Sequence, residues 1–369
     1  MKILYVTTIA STINGFMVPH ILYLLDKGHQ VDIACNVDNE IDPRLTIRKC
    51  KVHHIDFQRS PLSRQNYAAY QKIKKCISSE RYDVVHTHTP VASAVVRIAC
   101  RKMTAVKVLY TTHGFHFYKG APLKNWLLYY TIEKYLAKYT DVLITINEED
   151  YQRAKENLKA KKTEYIPGIG FDYHKFCGLT IDKLSERKKL AIPSDAFLIV
   201  SAGEINRNKN HEVIIRAIAQ LNNPAIYFII CGEGPLTNYL MELSKKLQLE
   251  KNVKLLGFRE DIGEICKAAD VFAFPSKREG LGLAALEAMS TGLPIITSNV
   301  HGIVDYSVNG VTGFNNKPTD VAGFAGAIQT LLNDIPLKKQ MGINNVSAAK
   351  RFDIRRSLTK MEKIYDQLQ

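Results

Sequence analysis

The stretch VFAFPSKREGLGLAALEAMSTGLPIITS, residues 271–298, decides the class of fold. It opens with an apolar run of strand length (271–276) and passes through a glycine-containing loop into a helical pattern of Leu, Ala and Met that ends near Ser290. A second apolar run follows at 293–299. Two short apolar runs joined by a helix are typical of a βαβ unit, whose two strands are parallel. The stretch therefore predicts a parallel sheet with helices on its faces.

The same alternation of short apolar runs and longer helical patterns extends along the chain of 369 residues, which is too long for one ordinary core and suits two domains. The further predicted strands are 2–8, 30–35, 51–57, 83–89, 107–114, 141–147, 197–203, 225–232 and 253–258. The alternation breaks between Pro167 and Pro193, where glycine and charged residues dominate. The chain is therefore predicted to be α/β, with two doubly wound domains in tandem.

The domain boundaries follow from that break. We expect an N-terminal Rossmann-like domain at 1–170, a linker or hinge at 171–195 and a second Rossmann-like domain at 196–351. The segment 352–369 contains a last helix from about Ile354 that could pack back onto the first domain.

The composition, 46% hydrophobic and 23% charged, is that of a soluble globular protein. No run approaches the roughly 18 to 20 apolar residues that span a bilayer, so neither a signal peptide nor a transmembrane helix is expected. The seven cysteines are odd in number and include no CxxC pair, which disfavours a disulfide framework or a zinc site. Reduced thiols in the cytoplasm are expected.

The net charge of +14 is uneven along the chain. Residues 1–180 hold 26 Lys and Arg against 16 Asp and Glu, whereas the remainder holds 24 against 20. The first half is therefore expected to meet something negative, and nucleic acid, an anionic membrane surface and a phosphorylated substrate all remain open at this point.

Ligands of open parallel sheets bind outside the carboxyl ends of the strands, so the loops that follow each strand hold the candidate binding residues. In the second half these loops carry Arg207, Lys209, Gly232, Gly234, Phe258 and Arg259. The two glycines would let the backbone approach a ligand closely.

A helix start follows the next strand, at Glu279-Gly280-Leu281-Gly282-Leu283. Free N–H groups and the positive end of the helix dipole make such a start a binding place for phosphate or sugar oxygens. Glu279 precedes the helix, and Glu287 is the only ionisable residue within it. Burial of a carboxylate without a partner costs several kcal/mol, so Glu287 requires either protein donors or the hydroxyls of a ligand, and the helix pattern alone leaves both open.

Glu279 and Glu287 form an E-x7-E motif. With Lys209, the sequence GEGP and the tandem α/β plan, this motif makes the whole chain resemble the retaining glycosyltransferases of family 4, which have the GT-B fold of two Rossmann-like domains facing across a cleft. The resemblance implies that Glu279 contacts the donor sugar, that Glu287 binds the nucleotide ribose and that Lys209 neutralises the diphosphate. Many members carry arginine where this chain has Glu204, and Arg207 is the candidate to supply that charge.

The resemblance also assigns residues in the first half. It places His113, in the stretch 111–122, near the reacting sugar, and Gly15, in a loop after the first strand, toward the diphosphate. His116 is expected to be hydrogen-bonded in a packed loop. His86 and His88 share one side of a strand but lack an evident third metal ligand, so packing is the favoured interpretation.

No D-x-D sequence occurs in the chain. Its absence, together with Lys209 and the helix start, favours handling of the diphosphate without a metal ion, and no cofactor is expected besides the donor, a UDP-sugar. The resemblance implies front-side attack, in which the leaving β-phosphate takes the acceptor's proton.

The stretch TTHGFHFYKGAPLKNWLLYYTIEKYLAKYTDVLITINEEDY, residues 111–151, resembles enzymes of bacterial capsule and exopolysaccharide assembly. This implies transfer of an N-acetylated amino sugar to a saccharide on a polyprenyl diphosphate, by a cytoplasmic protein bound peripherally to the anionic inner face of the plasma membrane. The candidate membrane contacts are Lys72, Lys74, Lys75, Trp126, Tyr129, Lys134 and Lys138, although helical spacing of Tyr and Leu also fits a core helix.

Three rival functions remain. A non-hydrolysing UDP-sugar epimerase shares the two-domain plan, but no acid/base carboxylate cluster is evident. A dinucleotide-dependent oxidoreductase would need G-x-G-x-x-G, which is missing. Nucleic-acid binding is allowed by the charge but by no recognisable motif, so no nucleic-acid partner is expected.

Overall fold

The computed structural model describes residues 1–368, which form two compact units. One unit comprises Met1–Ile169 together with the chain from Ser357 onward, and the other comprises Gly170–Arg356. Each is built on one parallel β-sheet.

The first unit contains a seven-stranded sheet in the order β3-β2-β1-β4-β5-β6-β7. Its strands are β1 (Lys2–Ile9), β2 (Gln30–Asn36), β3 (Val52–His54), β4 (Val84–Thr87), β5 (Lys107–Thr112), β6 (Val142–Thr145) and β7 (Lys162–Tyr165). Its helices are α1 (Ala10–Thr12), α2 (Val18–Asp26), α3 (Pro43–Ile47), α4 (Gln65–Glu80), α5 (Pro90–Cys100), α6 (Leu123–Asn125), α7 (Thr131–Leu136), α8 (Glu148–Asn157) and the C-terminal α17 (Ile354–Asp366). Two π-helical turns, Ile13–Met17 and Trp126–Tyr130, and the 3₁₀ turn Ala137–Tyr139 continue neighbouring helices.

The second unit contains a six-stranded sheet in the order β10-β9-β8-β11-β12-β13. Its strands are β8 (Phe197–Ala202), β9 (Ile226–Cys231), β10 (Val253–Leu255), β11 (Val271–Phe274), β12 (Ile295–Ser298) and β13 (Gly313–Asn316). Its helices are α9 (Tyr173–Cys177), α10 (Lys183–Lys189), α11 (His211–Leu221), α12 (Thr237–Lys246), α13 (Ile262–Ala268), α14 (Leu283–Ser290), α15 (Val321–Asn333) and α16 (Ile335–Ala349), with 3₁₀ turns at His301–Asp305 and Lys350–Phe352.

The strand order of each sheet defines its switch point, where successive crossovers turn to opposite sides and leave a crevice at the carboxyl edge. In the second sheet that point lies between β8 and β11, which pair in parallel. Every residue of both strands is buried, because helices cover both faces of the sheet. The loops after β8 and β11 therefore begin side by side on a rigid support.

The chain directly after β1 differs from the sequence-based expectation. A loop was expected to carry Gly15, but helix begins at Ala10 and continues through the π-helical turn Ile13–Met17 to Asp26. Gly15 is exposed within that turn, and a β-carbon there would meet no atom within 4 Å. The expectation of a loop was wrong, because the apolar spacing of the segment satisfies a helix that packs on the sheet.

The segment expected to be a linker or hinge, 171–195, contains α9 and α10 and belongs to the second unit. Arg187 holds it there, because its buried guanidinium donates to the carbonyl oxygens of Ala268 and Ala196 and pairs with Asp270 at 2.7 Å. Its proposed role as a hinge stays a prediction.

The last helix, α17, begins in the second unit, and its residues from Ser357 onward pack in the first. The Ser357 hydroxyl donates to the carbonyl oxygen of Gly168 at 3.0 Å, and Tyr23 donates to Glu362 at 2.5 Å. Among residues 1–368, no helix combines the length and the apolar character needed to cross a bilayer.

Candidate active site

The switch point of the second sheet brings Lys209 and Glu279 together. Lys209 lies in the loop after β8 and Glu279 in the loop after β11, and Lys209 Nζ is 2.7 Å from Glu279 Oε1. The Asn206 side chain accepts from the backbone N–H of Lys209 at 3.0 Å and so shapes the loop. The lysine stem passes over Gly203, where a β-carbon would lie 3.0 Å from Lys209 Cε. A glycine at the end of β8 therefore makes room for the cation.

The start of α14 lies next to this ion pair. Gly282 has a φ of +94°, and a β-carbon there would approach the Phe274 ring to 2.5 Å, so the position requires glycine. Leu281 is buried, which leaves its backbone as the part that could reach a ligand, and Leu283 is partly exposed. In the described chain no side chain caps the start of α14, and although the Ala285 N–H donates to the Gly282 carbonyl oxygen, those of Leu283 and Ala284 remain available as donors beside Gly280 and Glu279.

Glu287 lies one turn further along α14 and is partly buried. Within residues 1–368 its carboxylate has no hydrogen-bond or ion-pair partner, and burial raises its pKa, opposed by the charge of Lys175 in the same pocket. It lines a pocket of about 420 Å³ whose other walls come from 175–179 and 260–264. Of the two interpretations left open by the sequence, the one with protein donors has no support in these contacts.

The two glycines of GEGP serve close packing between loops. A β-carbon on Gly232 would lie 2.1 Å from the carbonyl oxygen of Gly203, and one on Gly234 would lie 2.4 Å from that of Ile205. The strand-end loops after β8 and β9 are therefore in direct contact. This contact by itself accounts for both glycines, and their approach to a ligand stays a prediction.

Three other predicted residues lie at the rim of this edge. Phe258 is 74% exposed. Arg259 pairs with Asp261, at 2.8 Å between Nε and Oδ1, and Asp261 lines the Glu287 pocket. Arg207 is exposed, whereas Lys209 is the cation that reaches Glu279.

His113 follows β5 in the first unit, in a cluster of aromatic and imidazole rings. Its Nε2 lies 3.3 Å from His88 Nδ1, and burial, with a smaller contribution from His20, lowers its pKa to about 4. The ring is therefore neutral near pH 7 and can act through a hydrogen bond but not through a charge.

His86 and His88 are both buried in this cluster. His86 Nδ1 lies 2.6 Å from the Tyr365 hydroxyl and Nε2 lies 2.8 Å from Thr111 Oγ1, so both nitrogens are used in packing. Tyr5 stacks on His88 with ring centroids 5.1 Å apart. Sequence reasoning missed the two tyrosines, because nothing in the pattern indicates where the last helix packs.

His116 packs in a folded loop, and a hydrogen bond of its imidazole ring stays a prediction. Its ring stacks on Tyr129 with centroids 4.7 Å apart, and its carbonyl oxygen accepts from Asn125. Over residues 1–368, no group of three or more His, Cys, Asp or Glu side chains is arranged to hold a metal ion.

Two Rossmann-like units, with a lysine–glutamate pair and an uncapped helix start at the switch point of the second, are the arrangement expected of a glycosyltransferase of the GT-B type. Residues 2–147 match the family model of the glycosyl transferase 4-like domain, and residues 182–347 match that of the glycosyl transferases group 1. The chain belongs to this glycosyltransferase family, which confirms the class of enzyme and the fold expected from the sequence.

Two relatives are similar over most of the chain. The putative glycosyltransferase EpsD of Bacillus subtilis is 38% identical, over 99% of this chain and 96% of its own. The UDP-Gal:alpha-D-GlcNAc-diphosphoundecaprenol alpha-1,3-galactosyltransferase of Escherichia coli is 33% identical, over 76% of this chain and 75% of its own.

Solved structures show the same fold. Anabaena Alr3699/HepE in complex with UDP and glucose has a TM-score of 0.83 at 21% identity, with both chains covered completely. WaaG, a glycosyltransferase involved in lipopolysaccharide biosynthesis, has a TM-score of 0.78 at 16% identity, over 98% of this chain and 99% of its own.

Proposed function

We propose that the protein is a retaining glycosyltransferase that moves a sugar from a UDP-sugar to a saccharide on a polyprenyl diphosphate, in capsule or exopolysaccharide synthesis. The E. coli relative is named for transfer from UDP-Gal to a diphosphoundecaprenol-linked sugar, and HepE was crystallised with UDP. The resemblance of the stretch 111–151 favours an N-acetylated amino sugar as donor. Galactose is a second candidate for the transferred sugar, because of the name of the E. coli relative.

The observation that carries this proposal is the state of Glu287. A desolvated carboxylate without a protein partner, at the wall of a pocket, is suited to accept hydrogen bonds from two adjacent hydroxyl groups. The ribose of a nucleotide offers such a pair. Phe258 at the rim offers an apolar ring to the base.

The diphosphate would be held by Lys209 and by the N–H groups at the start of α14. As the bond between the anomeric carbon and the phosphate oxygen breaks, negative charge develops on the leaving β-phosphate, and both groups stabilise it. The acceptor hydroxyl attacks from the same face and gives its proton to that phosphate, so the configuration is retained. Glu279, fixed by Lys209, would orient the donor sugar, and neutral His113 would donate or accept one hydrogen bond.

Thermal unfolding with a panel of nucleotides tests the donor site. UDP and UDP-sugars are expected to raise the melting temperature by mass action in the presence of EDTA, more than GDP or ADP do. Glu287→Gln should lose this shift. Glu242→Gln, which alters an exposed carboxylate on α12, should retain it.

The result against the proposal is equally specific. If no uridine nucleotide shifts the wild type, or if Glu287→Gln responds as Glu242→Gln does, the ribose role is wrong. Incubation of the wild type with UDP-N-acetylglucosamine alone distinguishes a transferase from the rival function, a UDP-sugar epimerase. An epimerase would convert the donor without an acceptor, whereas a transferase would leave it as the same sugar nucleotide.

A further inference from the structure

An apolar groove of about 630 Å³ lies on the outer side of the first unit, between α5 and α7. Its floor is the side of α5 turned away from the sheet, with Val91, Ala94 and Ile98 partly exposed. Tyr129 and Ile132 form part of the opposite wall. Tyr129 also packs against the core of the unit on its other side, but the apolar atoms that line the groove are left uncovered by the described chain.

The groove has a defined direction. Pro90 and Pro61 lie at one end, near the starts of α5 and α4. Helices that follow parallel strands start at the carboxyl edge of the sheet, which is also the edge that carries His113 after β5. From Pro90 to Ile98 the groove follows α5 for about 12 Å, at 1.5 Å per residue, away from that edge.

An exposed apolar stripe extends the wall of the groove. Leu123, Leu127, Ile132 and Tyr135 are 74%, 69%, 37% and 51% exposed, at successive turns of the helical run that includes α6 and α7. Leu123 and Leu127 are four residues apart and Ile132 and Tyr135 are three apart, so the members of each pair share one side of the helical run. Apolar side chains grouped in this way and in contact with water indicate a site that binds an apolar partner.

The charges around the groove are positive. Lys138 Nζ lies 3.8 Å from the ring centroid of Tyr135, and Lys124 and Lys134 are exposed along the same run. Of the described residues that line the groove, Glu133 is the one acid, and Arg97 holds it at 2.7 and 3.0 Å. The groove therefore presents no free carboxylate and suits a partner that combines an apolar chain with an anionic group.

The chemistry of the groove favours a hydrocarbon chain over a peptide. Both polar ends of the Asn66 side chain at its mouth are used, since Nδ2 donates to Ser60 and Oδ1 accepts from the Gln58 N–H. The two walls are helices, whose interior backbone groups are bonded within the helix. A peptide would bury amides with few partners here, at a cost in free energy, whereas a hydrocarbon needs none.

We propose that this groove binds the isoprenoid chain of the lipid-linked acceptor, with the diphosphate and saccharide at the edge of the sheet that carries His113. The proposal rests on the proposed function and adds the site for the lipid part of the acceptor. The exposed stripe would face the membrane from which the chain is drawn.

Trp126, the one tryptophan of the chain, reports on this site, because it directly precedes Leu127 and contacts Tyr130 with ring centroids 5.7 Å apart. Titration with farnesyl diphosphate should change its fluorescence saturably, and inorganic diphosphate should not. Ile132→Glu should weaken farnesyl diphosphate binding about tenfold or more, because it places a charge in the groove. Ile47→Glu, the same change at a 75% exposed isoleucine on α3, should bind as the wild type does.

Three results would overturn the proposal: an unsaturable response to farnesyl diphosphate, wild-type affinity of Ile132→Glu, or equal affinity for dodecyl phosphate, which would indicate a site for membrane acyl chains. If Ile132→Glu unfolds, Ala94→Phe replaces it, since the larger side chain fills the floor. A nucleotide titration of the same preparations separates the two proposals. Nucleotide stabilisation without farnesyl diphosphate binding rejects the groove alone, and the converse rejects the donor site.

Discussion

Lys209 is the residue on which the proposed donor site depends most directly. Its ammonium is partly buried, fixed by Glu279 and positioned by the Asn206 turn, whereas Arg207, two residues earlier, is exposed. A cation that stabilises a leaving diphosphate has to be oriented before the reaction begins. Lys209 meets this requirement in the structure.

We therefore expect Lys209→Met to reduce turnover of the UDP-sugar by about a hundredfold or more, in the range found when one stabilising donor is removed from an active site. Arg207→Met should have little effect. The measurement is kcat/KM for the donor in both variants, after their melting temperatures have been compared with that of the wild type. Equal losses in the two variants would show that Arg207 supplies part of the charge expected beside Gly203.

At the level of single residues, the sequence predicted which element each candidate residue lies in better than it predicted the contacts of that residue. The eight-residue spacing placed Glu279 before a helix and Glu287 inside it, and the structure shows both. It could not show that Glu279 pairs with Lys209, because the two are 70 positions apart, with three helices and three strands between them. Nor could the sequence show that Gly232 makes room for a neighbouring loop. A glycine is required whether backbone or a ligand approaches closely, so the residue type does not tell the two cases apart.

Among the elements, apolar strands and the helix of the opening stretch were predicted, and two strands were missed. β7 and β13 read KTEY and GFNN, which lack the apolar character of a buried strand because they lie at the edges of their sheets. The helix after β1 and the helices of 171–195 were also missed. In both segments tertiary contacts, such as those of Arg187, stabilise a conformation that local pattern alone does not reveal.

The C-terminal helix α17 is tied to the first sheet through Tyr365. Its hydroxyl bonds His86 and lies 3.2 Å from the Tyr5 hydroxyl, with all three groups buried. Tyr365→Phe would leave a buried nitrogen of His86 without its partner, so we expect the free energy of unfolding of the first unit to fall by about 1 to 3 kcal/mol.

Denaturant unfolding followed by Trp126 fluorescence measures this loss, because the tryptophan lies in the first unit. Tyr67→Phe, which removes the hydroxyl of a 70% exposed tyrosine on α4, is the matched control and should change stability little. If the two variants are equally stable, the hydrogen bond between Tyr365 and His86 makes no net contribution to the free energy of unfolding.

The histidines at the ends of β4 and β5 predict a sensitivity to acid. Burial lowers the pKa of His86, His88 and His113 in the folded protein, to about 4 for His113. Histidine in an unfolded chain has a pKa near 6.5, so the unfolded state takes up protons before the folded state does as the pH falls. The free energy of unfolding is therefore highest above that pH and decreases as the pH falls toward the pKa values of the folded protein. From about pH 7.5 to about pH 5, His113 alone should account for a loss of about 2 kcal/mol.

The pH dependence of Trp126-detected unfolding checks this sign. His113→Asn should flatten the dependence, whereas His54→Asn, at a side chain that is 51% exposed, should leave the wild-type slope. A wild type that becomes more stable on acidification would contradict the buried, neutral state of the cluster.

Considered as a whole, the molecule carries its excess of positive charge mainly in the first 180 residues, where the exposed run with Lys134 and Lys138 also lies. A net charge of this sign attracts an anionic membrane surface, with about 1 kcal/mol for each lysine close to it. We therefore predict that the protein binds peripherally to an anionic membrane surface.

We expect the protein to sediment with vesicles that contain phosphatidylglycerol and to remain in solution with vesicles of phosphatidylcholine alone. Salt should release it, because the screening length falls from about 8 Å at physiological ionic strength to about 3 Å at 1 M. Reversal of Lys134 and Lys138 to glutamate should weaken binding by about tenfold or more. The same reversal at Lys245 and Lys246, exposed in the second unit, keeps the total charge of the variants equal and should have a much smaller effect. Equal effects of the two reversals would mean that net charge, and not this surface of the first unit, determines the attraction to the membrane.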